Sequence, residues 1–141
     1  HFGFQGNAVG GSGYNETITS TSWRTYQTED DSSQTVGYYT GADQAQGTGF
    51  QELIHEAASD DADKSACGTL HLFSPSSTVF VKHFIFTGNH YAPTNGTAYT
   101  RSWFIAGYFN TTSAIDEIQF KMSSGNIDAG KIKLYGLKDS A

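Results

Sequence analysis

The most regular alternation of side chains in the sequence runs from Thr78 to Gly88. In an extended segment Val79, Val81, His83 and Ile85 fall on one face, and Phe80, Lys82, Phe84 and Phe86 on the other. Both sets are largely apolar, which predicts a strand covered on both faces or lying at an interface. Tyr99 to Phe109 alternates in the same way, with Trp103, Ile105, Gly107 and Phe109 sharing a face. Shorter strands are expected at Phe2 to Gln5, Thr17 to Tyr26, Val36 to Tyr39, Gly68 to Pro75 and Ile115 to Met122. Phe50, Leu53 and Ile54 fit helical as well as strand spacing, and their β-like surroundings favour a strand over Phe50 to Glu56. The closing stretch, Lys131 to Leu137, alternates again and is expected to pair with Ile115 to Met122 around a Gly-rich turn. Asn7 to Gly13, Gly41 to Gly49, Ala58 to Lys64 and His90 to Ala98 read as loops or turns.

About eight short strands with turn signals between them predict an all-β fold, an antiparallel β-sandwich of jelly-roll-like type. No repeat or linker divides the chain, so residues 1–141 read as one domain. The sequence opens on His1 instead of Met, which suggests the C-terminal part of a longer protein.

Composition sharpens the fold and narrows the function. Charged residues make up only 16% of the chain and aromatic residues 14%, so polarity rests on Ser, Thr, Asn and Gln. Such a mixture packs well on pleated surfaces and badly in long helices. The net charge is −6, and the eight basic residues are scattered. Counterion release from phosphates needs clustered Lys and Arg, so a nucleic-acid surface is not expected. No apolar run reaches the length of a membrane span. The one cysteine, Cys67, reads as a small buried or half-buried residue.

Candidate chemistry is sparse. His55-Glu56 begins like a zinc-protease signature, but Ser59 stands where the second His is required. The five histidines lack ligand-like spacing, although His71 and His83 lie on neighbouring expected strands. Asp60, Asp61 and Asp63 lack the Gly and distal Glu of a calcium loop and read as a solvated turn. Glu16, Glu52, Asp116 and Glu117 are available as a carboxylate pair for glycoside hydrolysis, as in any acidic protein. Asn15, Asn95 and Asn110 each open a glycosylation triplet, of the kind that chance produces in Asn- and Thr-rich chains. No catalytic residue, metal site or cofactor is therefore expected.

An ordered set of short motifs carries a resemblance. Gly68-Thr69-Leu70, Leu72-Phe73 and Pro75 precede the Phe/Val-rich strand. A Tyr/Trp-rich strand and the turn Asn110 to Ser113 follow. The chain then closes on Ile115, Ile118 and Phe120, Ser124-Gly125-Asn126, Gly130 and Leu134-Tyr135-Gly136-Leu137-Lys138. In this order the set resembles a family of virion structural proteins of tailed bacteriophages. The resemblance covers about Gly13 to Lys138, and is firmest from Gly68 onward. It implies a β-sandwich module of a tail fibre, head fibre or capsid decoration, located in the virion. Such a module is not an enzyme, and the family supplies no catalytic residue. The implied partners are other copies of the chain, in a homo-oligomer with a trimer as one option, and other virion proteins. A host surface glycan is the alternative partner.

Aromatic side chains are what a binding surface would use, whether for sugar stacking or at a subunit interface. Tyr38, Tyr39, Tyr91, Tyr99, Trp103 and Tyr108 are candidates, about half of them expected in the core. The paired Tyr38 and Tyr39, and Tyr91 in its expected loop, are the three expected to be exposed.

Overall fold

The computed structural model describes residues 1–55, 64–94 and 97–137, with the backbone alone for Ala92 and Thr94. Among these residues there are nine strands and no helix. They are β1 (Phe2–Ala8), β2 (Ile18–Thr28), β3 (Gln34–Tyr38), β4 (Gln44–Gly47) and β5 (Gln51–Ile54). β6 (Ala66–Leu72), β7 (Lys82–Thr94), β8 (Thr97–Phe109) and β9 (Ile115–Met122) follow. A small sheet has the order β5-β1-β9, and a larger one β3-β2-β8-β7-β6, with β4 also paired to β2. All pairings are antiparallel, which makes the fold an antiparallel β-sandwich.

Strand parity places the core. β8 turns its odd-numbered residues inward, so Trp103, Ile105 and Phe109 are buried while Phe104 and Ala106 face out. Phe84 and Phe86 of β7 and Ile18 of β2 join them from the same sheet. Phe4, Ala8, Leu53, Ile54 and Ile115 close the core from the small sheet. The Phe4 ring meets Phe84 edge-on at 5.0 Å and Phe109 at 5.8 Å. Each such aromatic, fully removed from water, contributes about 1.5–3 kcal/mol.

Two buried glutamines join strands to loops where apolar side chains could not. The Gln5 amide donates to the carbonyls of Glu16, Thr48 and Gly49. The Gln51 amide donates to the Ala42 carbonyl at 2.7 Å, and its oxygen accepts from the Ser20 hydroxyl at 2.6 Å. Gly107 allows β8 to approach β2 closely. A Cβ there would lie 2.6 Å from the Thr19 carbonyl oxygen and 2.7 Å from Phe84 Cζ.

Several expectations need correction. The hairpin of β9 with Lys131 to Leu137 does not form; β9 pairs with β1 instead. Gly125 and Gly130 take positive φ, 74° and 128°. Residues 123–137 nevertheless form no strand, and every one of them is exposed. Ile127, the apolar residue between these glycines, is exposed as well. β7 starts at Lys82, not Thr78, so Val79 and Phe80 lie in an exposed bend before it. The expected loop from His90 to Ala98 is mostly strand, since β7 and β8 pair from Lys82↔Phe109 to Thr94↔Thr97. Gln44–Gly47, expected in a loop, adds a short strand at the side of β2. Cys67 is exposed on β6. The acidic turn of Asp60, Asp61 and Asp63, and the residues Glu56, Ser59, Asn95 and Lys138, lie outside the described residues.

Candidate functional site

The outer face of the larger sheet is built by the side chains that parity turns away from the core. The strand register sets Tyr38, Trp23, Phe104 and Thr87 in one row across β3, β2, β8 and β7. The next row is Thr21, Ala106, Ile85 and His71, and the one beyond it Thr19, Tyr108 and His83. Trp23 is 51% exposed, Tyr38 46%, Phe104 48% and Ile85 45%. Thr21 and Ala106 are small, so the middle row sits lower than its neighbours. A shallow depression of about 410 Å³ results, bordered by Thr19, His83, Ile85 and Tyr108. Phe73 extends the surface past the end of β6, its ring nearly parallel to that of His71 at 6.3 Å.

Charge is missing from this face. Among the described residues of β2, β3, β6, β7 and β8, no outward position carries Asp, Glu, Lys or Arg. The chain has 14 acidic and 8 basic residues, so they are concentrated elsewhere. Depletion of charge with enrichment of Trp, Tyr and Phe marks the centre of a protein interface.

Tyr38, Tyr39 and Tyr91 do not come together. Tyr38 belongs to the outer face, and its hydroxyl donates to Asp43 Oδ2 at 2.5 Å. That bond, followed by partial burial and the Asp43 charge, raises the phenol above its ordinary value. Tyr39, one residue on, points the opposite way. Its ring is half-buried against Trp103 at 5.4 Å, under the Arg24 guanidinium at 4.0 Å. Tyr91 lies on β7 opposite Thr100, three strands away from Tyr38 in the sheet order. Of the other candidates, Trp103 and Tyr99 are core residues. Tyr108 does reach the outer face, beside His83 at 5.8 Å.

Trp23 and Phe104 are the functional candidates that sequence reasoning missed. The alternation of β2 was visible, but its inward side carries Ser20 and Ser22 and its outward side Trp23. Residue type therefore does not reveal which side of β2 faces out. The available signal was the run Thr19, Thr21, Trp23, Thr25, whose Thr residues suit an open pleated surface.

The charged side chains are held in other places. Lys82 is fully buried, and its ammonium donates to the carbonyls of Phe80 at 2.7 Å and Thr111 at 3.2 Å. Burial lowers its pKa. Arg101 is buried among Tyr99, Tyr26 and Trp103, with its guanidinium 4.6 Å from the Tyr99 ring centre. Among the acidic candidates, Glu117 accepts from Asn7 and Tyr14, and Glu16 accepts the Ala8 backbone N–H. Glu52 faces His55 and His1. These last three are the one group of potential metal ligands that the described residues bring together. Comparison of the chain with protein-family models, with curated proteins and with solved structures finds no match.

Proposed function

We propose that this protein is a non-enzymatic structural component of a bacteriophage virion, working by association with its own copies and attachment to the particle. A capsid decoration, a head fibre and a tail-fibre module all fit this role. The observation that carries the reading is the charge-free outer face, with Trp23, Tyr38, Phe104 and Ile85 half-exposed in two adjacent rows. Burial of such a face against a second copy removes apolar area from water, with the Asp43 carboxylate bonded to Tyr38 as the charge beside it. The alternating segment Lys131 to Leu137, exposed and outside any strand, supports the same reading, because such a sequence is suited to adding to an exposed sheet edge. The ordered motifs from Gly68 to Lys138 supply the virion part of the proposal. Solution mass and the protein content of purified particles test it together. A stable monomer that is also absent from particles would remove the proposal.

A glycan- or receptor-binding module at a fibre tip is the second reading. The row of Trp23 and Tyr38 beside the Thr21–Ala106 depression favours it, since aromatic faces stack on sugar rings and Thr hydroxyls bond to them. Screening against a glycan array separates the two. Binding that is lost in Trp23→Ala and Tyr38→Ala would support this reading, and absence of binding would leave the assembly role.

A further inference from the structure

The start of β1 and the end of β5 form a corner where two imidazoles and a carboxylate converge. β1 and β5 pair with Gly3 opposite Glu52 and Phe2 opposite Ile54, and a bulge falls between Phe2 and Gly3. His1 and His55 thereby flank Glu52. Its Oε2 lies 2.7 Å from His55 Nδ1 and 3.2 Å from His1 Nδ1. The two imidazole centroids are 3.9 Å apart. One ligand atom from each residue lies within 4.8 Å of the other two.

Two features separate this corner from an ordinary ion pair. The Nδ1 atom of His1 is buried and makes no hydrogen bond, despite its closeness to the carboxylate. One carboxylate oxygen is thus faced by two imidazole nitrogens and is aligned with only one of them. His55, in turn, is held from behind. Its Nε2 meets the Tyr39 hydroxyl at 2.9 Å, and Tyr39 is wedged edge-on against Trp103. A hydrogen bond to the far nitrogen is how proteins orient a metal-binding imidazole.

We propose that His1, Glu52 and His55 form a binding site for a divalent transition-metal ion of the zinc class. Two imidazole nitrogens and one carboxylate oxygen suit zinc and its neighbours, whereas calcium and magnesium require oxygen ligands. Donors around a tetrahedral zinc ion at about 2.0–2.2 Å lie roughly 3.3–3.6 Å from one another. The observed separations of 2.7 and 3.2 Å therefore need to open only slightly. Three protein ligands leave a fourth position open, and the partial exposure of His1 and Glu52 gives water or an external donor access to it.

Zinc chloride titrated calorimetrically into the metal-stripped chain tests the site. Saturable binding of one zinc per chain is expected, with a raised melting temperature. His1→Ala and Glu52→Gln should each weaken it by at least about tenfold. Tyr39→Phe keeps the ring and removes only the hydroxyl, and it should weaken binding by about tenfold while circular dichroism stays unchanged. Cobalt substituted into the unmodified chain should show the visible absorption of a low-coordinate nitrogen- and oxygen-ligated ion, which needs no variant to fold. Absence of saturable zinc binding would overturn the proposal. So would zinc binding that is undiminished in His1→Ala and Glu52→Gln, because the ion would then reside elsewhere.

Discussion

Trp23 stands opposite Tyr38 across β2 and β3, edge to face, with ring centroids 6.0 Å apart at an interplanar angle of 83°. Both rings stand on the outer face, away from the core. An aromatic pair of this geometry contributes about 0.5–1.5 kcal/mol beyond its buried area. Here about half of that area remains open to solvent. Trp23→Thr should therefore leave the fold intact, since Thr is at home on a strand, and should weaken self-association by about tenfold or more. Phe104→Thr should act the same way. Sedimentation velocity over a dilution series checks both, with thermal melting as the control for folding.

Gly107 sets a tighter constraint than its exposure suggests. An added Cβ would press on the Thr19 carbonyl, Phe84 Cζ and Ser20 Cβ, all within 2.7 Å. Gly107→Ala is expected to destabilise the chain by about 1–3 kcal/mol through overpacking. Gly37 on β3 has nothing within 4 Å of its would-be Cβ. Gly37→Ala should then change stability by less than about 0.5 kcal/mol. Urea denaturation midpoints of the two variants decide the matter.

Lys82 gives the fold an alkaline signature. Burial lowers its folded pKa below the ordinary 10.5. Between the lowered value and 10.5 the unfolded chain binds the proton more readily than the folded chain. The contribution of this group to stability therefore rises with pH through that window. The phenols of Tyr14 and Tyr38 are raised above 10.0, so their contribution is lost only above that value. Below pH 10.0 the Lys82 rise is thus not offset by these phenols. Denaturation midpoints measured from neutral pH toward 10.0 should climb, and in Lys82→Met that component of the rise should be absent.

The segment after β9 is expected to be dispensable for the fold of an isolated chain. Leu134 is 83% exposed and Leu137 91%, so neither contributes to this core. A chain ending at Gly130 should melt at the same temperature as the full chain. If Lys131 to Leu137 adds to the sheet edge of another copy, that shorter chain should also associate less. Light scattering and thermal melting of the two chains, side by side, check both statements.

Alternation alone located β1, β2, β8 and β9 to within a few residues. It failed where type and side part company. The apolar residues of Lys131 to Leu137 read as a closing strand, yet β9 takes β1 as its partner and the segment lies exposed. His90 to Ala98 carries Asn, Pro and Gly and reads as a loop, yet its described residues, His90 to Thr94 and Thr97 to Ala98, continue the register of two long strands. Tyr38 and Tyr39 were read as a pair, and the two-residue period of a strand sends them to opposite sides. The His1, Glu52 and His55 corner could not be read from spacing, because it exists through the pairing of β1 with β5 across some fifty positions of chain. Pairing partners are a property of the whole sheet, and no local pattern encodes them.

On the proposed function, the outer face of the larger sheet holds copies of this chain together. Sedimentation equilibrium of the unmodified chain and of Trp23→Thr measures it most directly. A defined oligomer is expected for the first and a shift toward monomer for the second, with both folded. A unmodified chain that remains monomeric at every concentration, or an oligomer that ignores the loss of Trp23 and Phe104, would contradict it.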